Sequence, residues 1–409
     1  MELIAGYKQT EIGVVPEEWN VKPLSEVLER ARLGGNYPNQ DAESDFPLMK
    51  MGNIARGVFD VSATEYISPL TTPEAQHRLA SGDVLFNTRN TLDLVGKVAI
   101  WRGELPVAYY NSNLLRLEFK PSEIASSLYA NYWLNTATAV SKLRALATGT
   151  TSVAAIYTRD LLGFSIAVPP SSEQSAIAAA LGDVDELLAA QDALIAKKRA
   201  IKQGAMQELL AGKRRLPGFS GEWEMKPLGE LSRIRNQKIA TLLVDAGTLC
   251  VELENVGQGT GCLESRSTAG NAVSTKYTFQ AGDVLFGRLR SYLRKYWLAT
   301  EPGLCTTEIW PLAVDAEILV PGFLFAVVQT DAFIEAASIA FGTHMPRADW
   351  GVIRNFEIQL PNIEEQSAIA EVLSEMDAGI TALEAQRAKT AQLKQGMMQA
   401  LLTGRIRLI

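Results

Sequence analysis

The six residues EQSAIA occur twice in this chain, at positions 173–178 and 365–370. The match continues without a gap to Gly212 in the first copy and to Gly404 in the second. Because a duplicated segment reflects a repeated structural unit, this self-similarity constrains the fold before any local motif does. A chain that is built twice indicates a target with two parts.

Two shorter motifs repeat ahead of these segments. Trp-x-x-x-Pro-Leu-x-Glu begins at Trp19 and at Trp223, and Gly-Asp-Val-Leu-Phe begins at Gly82 and at Gly282. The offset between the copies falls from 204 positions at the tryptophans to 192 positions at EQSAIA. Short deletions in surface loops produce such a drift, because loops tolerate length changes better than cores do. The two halves are therefore expected to share a fold and to differ in their loops.

Composition excludes several classes of protein. The chain has 409 residues, enough for two or three domains. It has no apolar run long enough for a membrane span and no signal-type N-terminus, so we expect a cytoplasmic protein without a membrane partner. Three cysteines and two histidines provide neither a disulfide framework nor metal-ligand spacing. The net charge of −7 argues against a protein that coats nucleic acid, but it permits local basic faces.

Each half alternates short strand patterns with helix patterns. Apolar runs and alternating segments predict strands at residues 84–86, 98–101, 114–119 and 249–253. Helical periodicity predicts helices at residues 24–30, 127–146 and 323–339. Each half is therefore expected to be a mixed α+β domain.

Each EQSAIA segment begins a long helix whose apolar residues have the 4-3-4 spacing that is typical of a coiled-coil seam. Gly212 and Gly404 stand where helix-ending glycines are expected. Neither helix is expected to bury its apolar stripe in its own domain, so we predict that the two helices pair with each other. The stripes consist of Ile177, Leu181, Val184, Leu188 and Ile195 in the first copy and Ile369, Leu373, Met376, Ile380 and Leu383 in the second.

Two domain-plus-helix units joined in series form a closed twofold arrangement if their helices run antiparallel. The segment that leads from the first helix to Trp223 stops after its first residues in the second copy, where the sequence ends at Arg407-Leu408-Ile409. The missing part lies at the other end of the chain, at residues 12–19. We therefore predict a pseudo-twofold, near-cyclic layout in which residues 1–18 pack near the C-terminus.

The sequence contains no recognisable catalytic motif. Gly96-Lys97 and Gly212-Lys213 lack the other residues of a phosphate-binding P-loop. His77 and His344 stand alone in the sequence and are interpreted as surface or hydrogen-bonded histidines. We therefore predict no catalytic residue, metal site or cofactor in this chain, and an enzyme with an unrecognised site is the weakest hypothesis. Acidic pairs such as Glu364-Glu365 are interpreted as helix-start charges that favour the helix dipole.

Polar and basic loops follow the Gly-Asp-Val-Leu-Phe strand in both halves, and a second pair of loops precedes each long helix. Arginine can bind phosphate or read guanine, but a strand edge protected by charge explains the first pair equally well. Plain turns explain the second pair equally well. The predicted DNA contacts are Arg89, Asn90, Thr91, Lys97, Thr150 and Thr151 in the first half and Arg288, Arg290, Ser291, Arg294, Lys295, Thr343 and Arg347 in the second.

The duplicated tryptophan motif, the Gly-Asp-Val-Leu-Phe strand and the EQSAIA helix closing on Leu-Leu-x-Gly resemble the specificity (S) subunit of type I restriction-modification systems. The resemblance implies an α+β fold with two target-recognition domains and two long helices in an antiparallel coiled coil. Each domain is expected to read one half of a split, asymmetric DNA sequence. The expected boundaries are 1–168 for the first recognition domain, 169–216 for the central helix, 217–360 for the second domain and 361–409 for the C-terminal helix.

The resemblance also implies a subunit without catalysis of its own. Its helices would set the spacing between the DNA half-sites and dock two methyltransferase (modification) subunits, and restriction/translocase subunits would complete the assembly. S-adenosylmethionine, ATP and magnesium are expected on those partners. The alternative is a coiled-coil scaffold that presents two protein-interaction domains. Salt-sensitive, sequence-specific binding of double-stranded DNA distinguishes the two hypotheses.

Overall fold

The computed structural model describes residues 5–271, 275–339 and 345–408. The chain divides into two compact units. Unit 1 comprises Met1–Ala190 and Arg387–Ile409, and unit 2 comprises Gln191–Gln386. Each of the two long helices begins in one unit and ends in the other.

Unit 1 combines short strands with four short helices that precede the first long helix. The strands are β1 Tyr7–Thr10, β2 Gly13–Pro16, β3 Asn20–Pro23, β4 Leu28–Leu33, β5 Asn39–Gln40, β6 Pro47–Met49, β7 Glu65–Ile67, β8 Val84–Asn87, β9 Arg89–Asn90, β10 Val98–Ile100, β11 Tyr109–Tyr110, β12 Leu114–Phe119, β13 Thr148–Gly149, β14 Ala154–Ala155 and β15 Ser165–Val168. The helices are α1 Leu24–Val27, α2 Ser127–Leu134, α3 Ala137–Ala145 and α4 Thr158–Leu162, and α5 Ser171–Leu209 begins in this unit.

The main sheet of unit 1 is antiparallel with the strand order β10-β8-β12-β4. Successive side chains of a strand point to opposite faces. Val84 and Phe86 therefore enter the core that contains the helices, whereas Leu85 enters a separate core with residues of the second sheet. That second sheet has the order β11-β6-β7-β5. Residues 84–86 of β8 are thus buried on both faces of the strand, which explains their continuously apolar sequence.

Unit 2 repeats this construction. The strands are β16 Glu224–Pro227, β17 Ser232–Ile234, β18 Lys238–Ala240, β19 Leu249–Val251, β20 Ser267–Thr268, β21 Thr275–Phe279, β22 Val284–Gly287, β23 Tyr296–Leu298, β24 Gly303–Cys305, β25 Ile309–Val314 and β26 Glu357–Leu360. The helices are α6 Leu228–Leu231, α7 Pro321–Val327, α8 Asp331–Ser338 and α9 Trp350–Ile353, and α10 Ile363–Leu401 begins in this unit. The main sheet, β17-β25-β22-β23, has the strand order of the main sheet of unit 1.

The second sheets of the two units agree in the middle and differ at the edges. Both contain a parallel pair, β6 with β11 in unit 1 and β19 with β24 in unit 2. In unit 1 the sheet continues through β7 to β5, whereas in unit 2 strands β21 and β18 extend it on the other side of β24. The drift in the repeat offset therefore includes a change of edge strands as well as of loops.

Two predicted helices are each broken by a threonine. The pattern over residues 127–146 forms α2 and α3, because the Thr136 hydroxyl accepts a hydrogen bond from the Ala139 amide and starts a new helix. Thr330 does the same for α8 through the Phe333 amide, which divides residues 323–339. A threonine just before a helix accepts a hydrogen bond from a backbone N–H of the first turn, which has no partner within the helix. The predicted helix 24–30 is also too long, because α1 ends at Val27 and the chain continues as β4.

The long helices are antiparallel in each unit. In unit 1, Lys394 Nζ of α10 lies 2.5 Å from Asp185 Oδ1 of α5. In unit 2, Lys202 Nζ of α5 lies 2.6 Å from Asp377 Oδ1 of α10, and Arg199 pairs with Glu384 at 2.6 Å. An earlier position on one helix therefore meets a later position on the other. The predicted antiparallel pairing is confirmed.

The apolar stripes do more than join the helices. Ile177 and Leu181 belong to the same core as Trp19 of unit 1, and Ile369 and Leu373 lie in the main core of unit 2. The expectation that neither helix buries its stripe in its own domain is therefore wrong for the helix starts. Further along, Ile195 and Ile380 are buried, and four stripe residues are half-buried: Val184, Leu188, Met376 and Leu383.

Residues near both termini meet in unit 1. The Tyr7 hydroxyl donates to the Gly404 carbonyl at 2.9 Å, and Arg407 Nη2 donates to Glu18 Oε2 at 2.9 Å. Gly404 has the positive φ of 71° that favours glycine after a helix, as the sequence predicts. These contacts fit the near-cyclic layout.

Candidate nucleic-acid interface

In unit 1, the two loops predicted to contact DNA are joined by backbone hydrogen bonds. Strand β9 pairs with β14, which pairs in turn with β13 and leads back to the hairpin tip at residues 150–153. The Ile156 amide donates to the Thr88 carbonyl at 3.0 Å, and the Leu92 amide donates to the Thr151 carbonyl at 3.0 Å. Two segments that are distant in sequence therefore form one surface.

Unit 2 builds the same framework after β22. The Ala348 amide donates to the Arg288 carbonyl at 2.8 Å, which repeats the bond made by Ile156 in unit 1. Leu289 and Arg347 form an antiparallel bridge. The two predicted loops of unit 2 therefore also adjoin each other at the corresponding place.

The surface in unit 1 is mainly neutral and polar. Arg89, Thr150 and Thr151 are exposed, whereas Asn90 and Thr91 are half-buried. The Asn90 side-chain oxygen accepts a hydrogen bond from the Thr91 amide at 2.8 Å, which leaves its side-chain amide nitrogen available as a donor. Arginine and asparagine side by side provide donors for phosphate oxygens or for base edges.

Lys97, the other predicted cation of unit 1, stands just before β10. Its side chain is half-buried, and its carbonyl accepts the Asn87 amide at 2.8 Å. The Gly287 amide bonds to the Lys295 carbonyl at the same distance in unit 2. These two lysines are therefore corresponding residues of the repeated framework.

Three predicted contacts of unit 2 have internal partners. Ser291 is 3% exposed, and its hydroxyl donates to the Ala337 carbonyl at 2.9 Å. Arg294 Nη2 lies 2.5 Å from Asp331 Oδ1. Lys295 Nζ donates to two backbone carbonyls, at 2.6 and 2.8 Å. Ser291 and Lys295 therefore stabilise the loop from inside. The Arg294 side chain is partly exposed, but both of its terminal nitrogens have partners, the Gln329 carbonyl and Asp331.

Arg290 and Arg288 contribute to that face in different ways. Arg290 is exposed and has left-handed backbone angles, φ 51° and ψ 56°. Such angles are uncommon for a residue with a side chain and occur often at functional sites. The Arg288 guanidinium lies 5.4 Å from the centre of the Trp310 ring. Its buried Nε has no hydrogen-bond partner within the described part of the chain.

Arg347 is held by Glu308. Arg347 Nε lies 2.9 and 3.1 Å from the two carboxylate oxygens, and Nη2 lies 2.9 Å from Oε1. The hydrogen bonds to Glu308 raise the pKa of Arg347 above its ordinary value. Both side chains are partly exposed, so this pair belongs to the surface of unit 2. Thr343, the remaining predicted contact, lies outside the described residues, as do Gly342 and His344.

The sequence reasoning missed a buried cluster at the start of each long helix, which we call the Trp–Glu–Arg cluster. In unit 1, Glu173 is fully buried and accepts Trp19 Nε1 at 2.9 Å. Arg407 Nε and Nη2 donate to the same carboxylate at 2.7 and 2.9 Å. These hydrogen bonds raise the pKa of Arg407.

Unit 2 contains the same cluster. Glu365, which is 1% exposed, accepts Trp223 Nε1 at 3.1 Å. Arg215 donates to both carboxylate oxygens at 2.6 Å. The interpretation of Glu365 as a helix-dipole charge is therefore incomplete, because a buried carboxylate requires specific partners. A glutamate repeated together with a tryptophan and an arginine is the sequence signal that was available for this cluster.

The glutamine of each EQSAIA segment is also structural. Gln174 Oε1 accepts the Ala125 amide at 2.9 Å, and Gln366 Oε1 accepts the Val320 amide at 2.9 Å. Each side-chain amide nitrogen donates to two backbone carbonyls. Together, Glu and Gln fix each helix start to the domain that precedes it, so the repeated motif has a structural role.

Other kinds of site receive no support from the described residues. Within them, no cluster of three or more His, Cys, Asp or Glu side chains is arranged to hold a metal ion. Over the same residues, no helix combines the length and the apolar character needed to cross a bilayer.

Comparisons with known proteins agree with the duplicated fold. The family model for the type I restriction modification DNA specificity domain matches residues 16–197 and again residues 220–395. The chain is 23% identical to the type I restriction enzyme MjaVIII specificity subunit of Methanocaldococcus jannaschii, over 96% of this chain and 94% of that one. It is 24% identical to the MjaX specificity subunit of the same organism, over 98% of this chain and 96% of that one.

Two solved structures have a similar fold. The S subunit of a type I restriction-modification system from M. genitalium matches with a TM-score of 0.58 at 14% identity, over 98% of each chain. A chain from a structure of type I R-M system assembly matches with a TM-score of 0.57 at 16% identity, over 96% of this chain and 99% of that one.

Proposed function

The chain belongs to the family of type I restriction modification DNA specificity domains, and we propose that unit 1 and unit 2 each read one half of a bipartite, asymmetric DNA sequence. The observation that carries this proposal is the loop framework after β8 and β22. Both units join two distant loops through the same backbone bond, yet the loops present different side chains. A common framework with different side chains suits two readers of different sequences.

The residues proposed to contact DNA are the exposed or partly exposed members of these loops. Hydrogen-bond donors on a rigid loop can contact phosphates, base edges or both. Ser291, Arg294 and Lys295 are assigned to the loop framework because their polar groups bond internally. The proposed contacts are Arg89, Asn90, Thr91, Lys97, Thr150 and Thr151 in unit 1, and Arg288, Arg290 and Arg347 in unit 2.

The long helices are proposed to set the distance between the half-sites and to dock two modification subunits. Three apolar residues recur every seven positions along α5 and are 49%, 40% and 49% exposed, which supports a protein partner on this helix: Leu187, Leu194 and Ile201. The recognition domains are assigned to residues 1–168 and 217–360, and the helical regions to residues 169–216 and 361–409. Restriction/translocase subunits would complete a cytoplasmic assembly, and S-adenosylmethionine, ATP and magnesium would be bound by the partner subunits.

The direct test is to map methylated DNA in cells that carry this chain together with its modification subunits. A split sequence with two different halves is the expected result. Arg290→Ala should weaken binding by about 1–3 kcal/mol and relax one half-site only, if Arg290 reads a base. An equal loss on all sequences would assign Arg290 to a phosphate instead.

Salt dependence separates this function from a scaffold that does not bind DNA. Phosphate contacts make the affinity of the assembled complex for DNA fall steeply as salt concentration rises. The experiment compares binding to a target duplex and to an unrelated duplex over a range of salt concentrations. No binding to either duplex would favour the scaffold, and equal affinity for both duplexes would contradict sequence-specific reading.

The spacing role has its own test. Matched insertions or deletions in residues 187–200 and in the opposing turns of α10 change the length of the helical region. We expect the number of base pairs tolerated between the half-sites to change with it, because the helices are proposed to set the distance between the two recognition domains. Both half-sites must present their grooves at that distance along a duplex that repeats about every 34–36 Å. An unchanged spacer preference in methylation mapping would contradict the role of the helices in setting the distance.

A further inference from the structure

Arg347 presents one edge of its guanidinium to Glu308 and leaves the other edge without a partner in the described part of the chain. The Nε and Nη2 atoms face the carboxylate at 2.9–3.1 Å. The guanidinium has five N–H donors, of which the two on Nη1 and one on Nη2 point away from such a side-on partner. Two of these, one on each terminal nitrogen, form an end-on fork.

The pair lies on the loop framework proposed to contact DNA. The backbone of Arg347 forms an antiparallel β-bridge with Leu289, and the neighbouring Pro346 carbonyl accepts a hydrogen bond from the Arg290 amide at 2.8 Å. The Glu308 carbonyl accepts the Arg288 amide at 2.9 Å, so both members of the pair are fixed to the loop after β22. The Arg347 side chain is 39% exposed and therefore accessible.

The carboxylate argues against a phosphate as the ligand. The two opposite charges of the pair cancel, so the pair attracts a phosphate weakly, and Glu308 itself repels one. Hydrogen bonding to a base edge does not require net charge. Guanine presents two adjacent acceptors, O6 and N7, in the major groove, and an end-on arginine fork matches both. Cytosine and adenine present a donor at this edge, which the fork cannot use.

The pair also fixes the direction of the fork. An arginine that is already ordered in the free protein loses less conformational entropy on binding than a mobile one. We infer that Arg347 reads a guanine in the half-site bound by unit 2 and that Glu308 is the positioning residue that aims it. This inference rests on the proposed DNA-reading function.

Unit 1 has no such pair at the corresponding place. The Thr88 amide bonds to the Asn113 carbonyl as the Arg288 amide bonds to that of Glu308, and Ala155 stands opposite Arg89 as Arg347 stands opposite Leu289. Asparagine and alanine cannot form an ion pair. The requirement for guanine that the Arg347–Glu308 pair imposes should therefore be confined to one half-site.

The test uses the chain assembled with its modification subunits and a pool of duplexes that is randomised, one position at a time, around the mapped target. Bound DNA is sequenced for the wild type, Arg347→Ala, Arg347→Lys and Glu308→Gln. Lysine keeps the charge but lacks the fork, and glutamine keeps the shape of the carboxylate but lacks its charge. Arg89→Ala in unit 1 is the matched control.

We expect the wild type to require guanine at one position that both Arg347 variants relax, with a loss of discrimination of roughly 5- to 150-fold at that position alone. Glu308→Gln should relax the same position by a smaller factor. Arg89→Ala should leave that position unchanged and should affect only the other half-site. Arg347→Lys and Glu308→Gln carry the test if Arg347→Ala fails to fold.

Three results would overturn the inference while leaving the proposed function intact. Unchanged selectivity in both Arg347 variants would make the pair purely structural. An equal loss on every sequence would make Arg347 a phosphate contact. Relaxation at a position where the wild type requires another base would exclude guanine. A wild-type complex without any sequence preference would overturn the proposed function as well.

Discussion

The Glu173 carboxylate in unit 1 and the Glu365 carboxylate in unit 2 have the same partners, one tryptophan N–H and one arginine. The loops after β8 and β22 also share a backbone bond, but they differ in side chains: Thr88, Arg89 and Asn90 in unit 1 correspond to Arg288, Leu289 and Arg290 in unit 2. The repeat therefore preserves side-chain chemistry where each helix is fixed to its domain. Immediately after β8 and β22, where we propose that DNA is contacted, it preserves the backbone bond but not the side chains.

This difference separates two requirements on a duplicated chain. A buried carboxylate is unfavourable without its partners, so a change at one member of the Trp–Glu–Arg cluster leaves the others unsatisfied. An exposed loop whose framework rests on backbone bonds can exchange side chains at little cost. Sequence divergence between the units is therefore expected at the loops and restricted at the clusters.

The largest difference in stability between the two units is expected when the arginine of one Trp–Glu–Arg cluster is removed. Arg407→Met leaves the buried Glu173 without its cation and should lower the free energy of unfolding of unit 1 by about 3 kcal/mol. Arg215→Met should do the same in unit 2. Hydrogen exchange of amides in the two main sheets reports on each unit separately. A variant that destabilised both units equally, or neither, would show that the clusters do not act locally.

A smaller effect is expected from the tryptophans. Trp19→Phe and Trp223→Phe remove one hydrogen bond to a buried carboxylate and should each cost about 2 kcal/mol. Trp19 is fully buried whereas Trp223 is half-buried, so the loss should be larger in unit 1. Hydrogen exchange of each unit, monitored at increasing denaturant concentration, measures the two losses in the free energy of unfolding. An equal loss in both would mean that burial does not distinguish the clusters.

Much of the fold could be predicted because it depends on periodicity. The apolar run after Gly82-Asp83 and its copy in unit 2 are buried on both faces, and a continuously apolar run indicates this. The antiparallel pairing of the helices followed from the duplication. The breaks at Thr136 and Thr330 were missed because a capping threonine differs little from the helical residues around it in hydrophobic periodicity.

The candidate site was harder to predict because its members are far apart in sequence. The bond between Ile156 and Thr88 joins the two loops of unit 1, and no local pattern contains it. The basic run after β22 overstates the charge available to a ligand, since Lys295 donates to backbone carbonyls. The positions of cations could be read from the sequence, but their internal partners could not.

The smallest effect that we predict concerns backbone strain and has opposite signs in the two loops. Among the described residues, Arg290 and Arg294 are the non-glycine residues with positive φ. Glycine adopts this conformation without strain, but it gains more entropy on unfolding. Arg290→Gly should therefore raise the free energy of unfolding of unit 2 by roughly 0.5 kcal/mol. Asn90→Gly, at the corresponding extended position of unit 1, should lower that of unit 1 by a similar amount.

Thermal denaturation and hydrogen exchange measure these changes in stability. DNA binding by the assembled complex then shows whether Arg290 contacts DNA or supports the loop. If Arg290 is kept for contact with DNA, Arg290→Gly combines unchanged or increased stability with weaker binding. Loss of stability together with loss of binding would instead mean that the arginine supports the loop. Arg294→Gly is the control within unit 2, because it relieves the same strain but also removes the ion pair with Asp331. Its net gain in stability should therefore be smaller than that of Arg290→Gly.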